Sequence, residues 1–394
     1  MRLVAERLLR LRHSAILSDM ASPQNMSVQQ GRAVRLQNVL SAQQALLIVN
    51  PSDIFYLTGC DFLVPEEREA FFVVTKNGLY FVKASLAPLP ISPLPFYRVL
   101  NNCRPEGLAT HMLGIVQEQG LREILIDKSS LFVTEYEAVL EKLKDTGCAL
   151  RDLDRQIVWR LRMIKDETEV TSIRRASQVI AEAVTKTRAQ LKMGMSEIDV
   201  QMVLESETRQ LGAEKMAFPT IIAFGANGAE PHYQPSRDTT LQNEMPILID
   251  AGVIIDHYRS DTTRSFWFGE HKSEEFMKVE QAVNGAYKAA LEKAKTVGLQ
   301  TVGDDGVKAR DLDQAARSVI TEAGYGSNFI HTTGHGVGID IHEPPSLHSQ
   351  NEQEILPNMV ITIEPGIYID SHFGFRYENT VLVGEHGAEE LTAS

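Results

Sequence analysis

Four carboxylates lie inside or at the ends of apolar, strand-like segments in the C-terminal part of this 394-residue chain, and no other feature restricts its fold as much. Asp250 ends the run Ile247-Leu248-Ile249-Asp250-Ala251-Gly252, and Asp261 follows in Tyr258-Arg259-Ser260-Asp261-Thr262-Thr263-Arg264. Glu364 sits in Val360-Ile361-Thr362-Ile363-Glu364-Pro365-Gly366, and Glu378 in Arg376-Tyr377-Glu378-Asn379-Thr380-Val381. A charge taken out of water needs a partner. Each acid alone reads as a buried ion pair or a strand-end turn residue, but the local cations are only Arg259, Arg264 and Arg376. Two divalent cations would balance the four negative charges. The accompanying imidazole is best assigned to His335 in His331-Thr332-Thr333-Gly334-His335-Gly336-Val337-Gly338, whose flanking glycines let backbone and ring approach a metal closely. An oxygen-rich site with one imidazole suits Mn²⁺ or Co²⁺ and accepts Zn²⁺.

The rest of the composition bounds the setting. A hydrophobic fraction of 43% and a charged fraction of 23% are those of a globular chain. No apolar run approaches the roughly 20 residues that span a bilayer. The first residues, MRLVAERLLRLRHSAIL, mix Arg and Glu through apolar positions, which suits an amphipathic helix of the fold rather than a signal or transit peptide. The cytoplasm is the expected location. Cys60, Cys103 and Cys148 are too few and wrongly spaced for a disulfide framework or a thiolate metal site. A net charge of −13 disfavours a nucleic-acid partner.

Alternating strands and helices are expected in the first 160 residues, with strands over Ala45–Val49, Phe71–Thr75, Leu79–Val82 and Glu123–Asp127, and a helix over Val133–Leu143. Asn50-Pro51-Ser52-Asp53 reads as a turn, and Asn77-Gly78 between apolar runs as a hairpin. From residue 161 onward the texture changes. Long-then-short helix pairs are expected at Asp166–Leu191 with Ser196–Leu211, and at Glu274–Lys295 with Arg310–Ala323. Strands are expected over Met245–Ile255, Thr263–Phe268, Val360–Ile369 and Arg376–Val383. Both short helices open with acidic residues, a hint of two related halves. The expected architecture is α+β, a small α/β domain over 1–160 followed by a catalytic domain over 161–394 with a curved, largely antiparallel sheet.

The segments DAGVIIDHYRSDTTR, HTTGHGVGIDIHEPP, ITIEPGIYI and RYENT resemble the signature of the pita-bread dinuclear metallopeptidases, the family of Xaa-Pro dipeptidase (prolidase), aminopeptidase P and methionine aminopeptidase. The N-terminal run Asn50-Pro51-Ser52-Asp53-Ile54-Phe55-Tyr56-Leu57-Thr58-Gly59 resembles the creatinase-like domain of the prolidase, aminopeptidase P and creatinase branch. The resemblance implies two divalent metals, Mn²⁺ foremost, held by Asp250, Asp261, His335, Glu364 and Glu378, with Asp261 and Glu378 bridging. It implies a water between the metals, acidified from a pKa of about 15.7 towards roughly 7, that attacks the scissile carbonyl. Glu364 would shuttle the proton, and His232 and His342 would hold substrate and the developing oxyanion.

The activity so implied is hydrolysis of Xaa-Pro dipeptides, with aminopeptidase P or a related small-amide hydrolase as the alternative. The complete ligand set argues against the metal-free creatinases and against relatives that only bind partners. A homodimer acting on small proline-containing peptides, without nucleic-acid or membrane partners, is the expected assembly. Several prolidases continue the His342 motif as His-Glu-Trp-Pro-Arg, where this chain has His342-Glu343-Pro344-Pro345-Ser346. The missing cation leaves two outcomes: another cation reads a dipeptide's free carboxylate, Arg376 foremost with His372 or an N-terminal-domain Arg as alternatives, or the pocket reads none and admits longer peptides. His331 matches a family position near the site with an equal structural alternative, whereas Asp256, His257 and His372 read as solvated loop residues.

Overall fold

A computed structural model describes residues 26–63, 67–89, 96–153, 156–298 and 306–393, so the helix expected at the extreme N-terminus lies outside the described residues. The chain divides into two compact units, Met1–Leu161 and Arg162–Ser394.

In the first unit the described elements are α1 (Val28–Val39), β1 (Gln44–Ile48), α2 (Pro51–Thr58), β2 (Ala70–Thr75), β3 (Leu79–Lys83), β4 (Arg98–Asn101), α3 (Pro105–Gln119), β5 (Glu123–Ile126), α4 (Val133–Leu143) and β6 (Ala149–Asp152), and α5 (Gln156–Met163) begins in it and ends two residues into the second. The strands form one mixed sheet in the order β4-β3-β2-β1-β5-β6. The Asn-Gly signal closes the β2–β3 hairpin, where Thr75 N donates to Gly78 O at 2.9 Å. Asn50-Pro51-Ser52-Asp53 is not a free turn. The Asn50 side chain accepts from the backbone N–H groups of Ser52 and Asp53, and Pro51 occupies a first-turn position that needs no N–H, so these residues start α2. Turns and helix caps use the same residues because both must satisfy exposed N–H groups locally. The three cysteines are free.

The second unit begins with α6 (Glu167–Gln190) and α7 (Glu197–Gln210), each opened by a capping box, Asp166 with Glu169 and Ser196 with Asp199. Then come β7 (Lys215–Met216), β8 (Ile221–Phe224), β9 (Met245–Ala251), β10 (Val253–Ile255), β11 (Tyr258–Arg259) and β12 (Thr262–Phe268). The helices α8 (Glu274–Lys295) and α9 (Ala309–Glu322) precede β13 (Gly334–Gly336), β14 (Glu343–Leu347), β15 (Val360–Ile363), β16 (Gly366–Ile369), β17 (Phe373–Arg376), β18 (Asn379–Gly384) and β19 (Gly387–Glu390). All strand pairs here are antiparallel. The repeated helix pattern corresponds to a repeated packing plan. Ile180, Val184 and Leu204 of the first pair cover Ile222, Ile247 and Ile249. Val283, Ala290, Leu312 and Ile320 of the second pair cover Ile361, Ile363 and Val381.

Two strands expected to be continuous are broken, and both breaks matter for the site. At Gly252 the backbone of Ser260 comes so close that a Cβ would lie 2.0 Å from its oxygen. At Glu364-Pro365 the chain leaves β15, because Pro365 has no N–H to continue the ladder. The sheets meet along one seam: Glu378 N donates to Thr263 O at 3.2 Å, and Asp261 N to Thr380 Oγ1 at 3.1 Å. Among the described residues no helix is long and apolar enough to cross a membrane.

Candidate metal centre and active site

The seam gathers the acids. In the β9–β12 register Asp250 faces Thr263, two residues beyond Asp261. In the β15–β18 register Ile363 faces Asn379, so Glu364 and Glu378 flank the end of that pair. Asp250, Asp261 and Glu378 are buried. The potential ligand atoms of Asp261, His335 and Glu378 all lie within 4.8 Å of one another. His335 Nε2 lies 3.7 Å from Asp261 Oδ2 and 3.3 Å from Glu364 Oε1.

His335 is oriented by its own turn. Nδ1 is 3.0 Å from Gly336 O, and a carbonyl can only accept, so the proton is on Nδ1 and the Nε2 lone pair faces the carboxylates. Burial lowers the pKa of this imidazole and keeps it neutral, the form a metal requires. Its flanking glycines have a nearer purpose than the one expected. A Cβ at Gly334 would lie 2.1 Å from Thr362 O, and one at Gly336 2.3 Å from Pro344 O, so they let β13 fit between β15 and β14.

Burial and mutual repulsion push the carboxyls of Asp261 and Glu378 well above the usual range, and burial raises Glu364. Asp250 Oδ1 is buried without a hydrogen-bond partner. Crowded acids, an orphaned carboxylate oxygen and a neutral imidazole with its lone pair turned inward together fit divalent cations.

Arg376 is turned into the protein. It is buried, and its guanidinium is committed inward: Nη2 to Asp250 Oδ2 at 2.5 Å, Nε to Thr263 Oγ1 at 3.0 Å and Nη1 to Tyr368 Oη at 2.5 Å. Thr263 Oγ1 donates in turn to Glu378 Oε2 at 2.7 Å. Tyr368 Oη is 2.9 Å from His331 Nε2, which places His331 in this same network. The sequence leads one to expect Arg376 at the substrate's carboxylate; in the structure its described side-chain hydrogen bonds go to Asp250, Thr263 and Tyr368. A single strongly basic side chain among several carboxylates finds its partner inside the fold.

His342 is exposed, and its ring lies 4.5 Å from that of His335, centre to centre. Partial desolvation on its inner side, followed by the neighbouring His335, lowers its pKa, and His232 acts in the same direction. His342 thus stands beside His335, with His232 in its electrostatic neighbourhood. Asp256 is exposed, and His372 pairs with Glu275 at 3.5 Å on the surface. His257 is half-buried at a positive-φ turn.

Glu197 does not stand out in the sequence, where it reads as one more acid in a helix's first turn. It is fully buried. Its carboxylate accepts from Phe224 N at 2.8 Å, Asn227 Nδ2 at 2.9 Å, Tyr233 Oη at 2.8 Å and Ser236 N at 3.0 Å. These donors span the loop that carries His232. Glu197→Ala would leave them without their acceptor at about 1–3 kcal/mol each, before water fills the gap. The expected result is a steep fall in thermal midpoint, with a smaller fall for Glu197→Gln, which keeps one accepting oxygen. Equal midpoints for Glu197→Ala and the parent would contradict it.

Known proteins resemble this chain over most of its length. The Creatinase/Prolidase N-terminal domain pattern matches residues 32–164, and that of Metallopeptidase family M24 matches residues 171–385. An uncharacterized peptidase of Staphylococcus aureus (strain MW2) is 33% identical over 360 residues, covering 90% of this chain and 96% of that one. The prolidase from Pyrococcus horikoshii OT3 superposes with a TM-score of 0.80 at 28% identity, covering 93% of this chain and 99% of that one. The X-Pro aminopeptidase from Thermotoga maritima MSB8 does so with a TM-score of 0.77 at 28% identity, covering 91% and 98%.

Proposed function

The chain belongs to metallopeptidase family M24, the pita-bread dinuclear enzymes, and from that premise we propose that it hydrolyses the peptide bond preceding proline. The observation that carries the reading is the cluster of Asp250, Asp261, Glu364 and Glu378 around the inward-facing lone pair of His335, with Asp250 Oδ1 left without a partner. These five residues would hold two divalent cations, and the oxygen-rich donor set makes Mn²⁺ our assignment, ahead of Co²⁺ or Zn²⁺. When bound, such ions supply Lewis acidity to the scissile carbonyl and to the attacking water.

The remaining roles fall to side chains. Glu364, whose Oε1 lies 3.3 Å from His335 Nε2 at the edge of the cluster, would take the proton of the attacking water and hand it to the proline nitrogen. His342 and His232 would donate hydrogen bonds to the substrate carbonyl as its oxygen gains charge, since a neutral imidazole still carries one N–H. Arg376 and Thr263 hold Asp250 and Glu378 in place. Proline lacks an N–H and has a fixed φ, so a site that engages chiefly the carbonyl loses nothing by accepting it. The likeness to a prolidase and to an X-Pro aminopeptidase supports the same bond.

Between dipeptides and longer peptides, the strand arginines among the described residues of the catalytic unit favour the latter. Ser346, cross-strand from His335, brings no cation. Arg376 is spent on Asp250, Arg264 donates to Glu378 O at 2.6 Å and Thr392 O at 2.6 Å, and Arg259 faces Asp340 and Glu343. A charge-assisted hydrogen bond to a free carboxylate is worth roughly 1.5–3 kcal/mol, about 10–100-fold in affinity. With added Mn²⁺, kcat/KM for Ala-Pro should therefore not exceed that for Ala-Pro-Ala or Ala-Pro-amide by such a factor. A preference that large for Ala-Pro would restore the dipeptidase reading.

A further inference from the structure

The segment from His335 to His342 carries, on the proposal above, a metal ligand at one end and a substrate-binding histidine at the other. Between them the chain doubles back: β13 pairs with β14, Gly336 opposite Glu343, with an irregularity at His335/Gly336. Glu343 directly follows His342, and its side chain, 3% exposed, is turned into the protein. Its carboxylate accepts from Arg162 Nη2 at 2.5 Å, from Lys165 Nζ at 3.1 Å and from the backbone N–H of Asp340 at 3.1 Å. Arg162 also reaches Asp340 Oδ2 at 2.7 Å. Gly338 lets the loop wrap this carboxylate, because a Cβ there would lie 2.6 Å from it. Burial opposes ionisation of Glu343, but Arg162 and Lys165 outweigh it and bring the carboxyl down to about 2. The loop is thus closed on itself and fastened at a second point to the start of the catalytic unit.

A buried ion pair is a weak device for stability alone, since well-packed apolar residues often do as well. It is a better device for holding a backbone at one place. Here the clamped residue is the peptide neighbour of His342, whose ring must meet a developing charge to within a fraction of an ångström.

We propose that Glu343, gripped by Arg162 and Lys165, is a positioning residue that sets His342 for the reaction. The inference rests on the role given to His342 above.

A double-mutant cycle tests it, with kcat, KM, metal content and thermal midpoint measured for Glu343→Gln, His342→Ala and the pair. Glu343→Gln keeps the shape of the side chain but removes the charge that holds both cations. We expect metal content to stay near that of the parent and kcat to fall roughly 10–100-fold, the usual range for outer-shell partners in a metal site. Adding it to His342→Ala should bring no further loss, because the group being positioned is already gone. Losses that multiply, or a lowered midpoint with normal kcat, would overturn the proposal and leave the clamp purely structural. Should Glu343→Gln fail to fold or lose metal, Lys165→Gln, which leaves Arg162 on the carboxylate, runs through the same cycle under the same criteria. Normal turnover by His342→Ala would remove the role of His342 itself, and this proposal with it. A crippled His342→Ala beside a normal Glu343→Gln would sink the clamp alone.

Discussion

Asp261→Asn should abolish metal retention and activity together while leaving the fold intact. Asp261 sits where the ligand atoms of His335 and Glu378 converge, and its backbone is fixed on both sides by Thr380, through Asp261 N to Thr380 Oγ1 at 3.1 Å and Thr380 Oγ1 to Asp261 O at 2.8 Å. Neither contact involves the carboxylate, so the backbone keeps its place when Asn replaces Asp. Burial and the facing acids Glu378, Asp250 and Glu364 hold this carboxyl well above its usual range, so in the absence of cations its charge is a liability. The neutral amide removes that repulsion, and the chelated variant should melt no lower than the chelated parent. Lewis-acid stabilisation of the reaction amounts to several kcal/mol, which converts to a loss of about 10³-fold or more in kcat/KM. Chelation of the parent should produce the same loss, and Mn²⁺ or Co²⁺ should reverse it in the parent only. Elemental analysis alongside the assay decides the matter. A metal-free parent that retained full activity would end the metallopeptidase mechanism for this chain.

The second large effect is expected at the histidines. His232→Ala and His342→Ala should each retain the metal content of the parent, because neither ring is needed to hold the ions, yet each should lose on the order of 10²–10³-fold in kcat, the usual effect of removing one oxyanion donor. The two rings belong to different loops, the His232 loop anchored by Glu197 and the His342 loop by Glu343. Loss of kcat with little change in KM is the signature of a contact made in the transition state. A rise in KM with normal kcat would move the residue from transition-state contact to ground-state binding. Loss of metal in either variant would instead place that ring among the ligands.

Much of this protein could be read from its sequence because the informative signals are local. Apolar strands interrupted by Asp250 and Glu364 disclose an interior that needs cations, whatever the fold around them. Asp166 with Glu169, and Ser196 with Asp199, announce their helices through side chains that cap the chain within three residues. The Asn77-Gly78 hairpin is equally self-contained. Asn50 shows the limit of this, since a helix cap and a free turn ask for the same residue types and differ only in whether the chain beyond them continues as a helix.

The tertiary structure decided what depends on residues far apart in the chain. Arg376 and Asp250 are 126 positions apart, and nothing in the periodicity around either shows that the one cation is already spent on the other. The same holds for Glu343 with Arg162, 181 positions away, and for Glu197 with Ser236, 39 positions away. A glutamate in a first helical turn or in a polar loop looks solvated, because local patterning records the burial of apolar side chains and is silent about a charge whose desolvation is offset by distant donors. Only when the strands close along the seam do those donors arrive, and with them the assignment of which charges serve substrate and which hold the site in place.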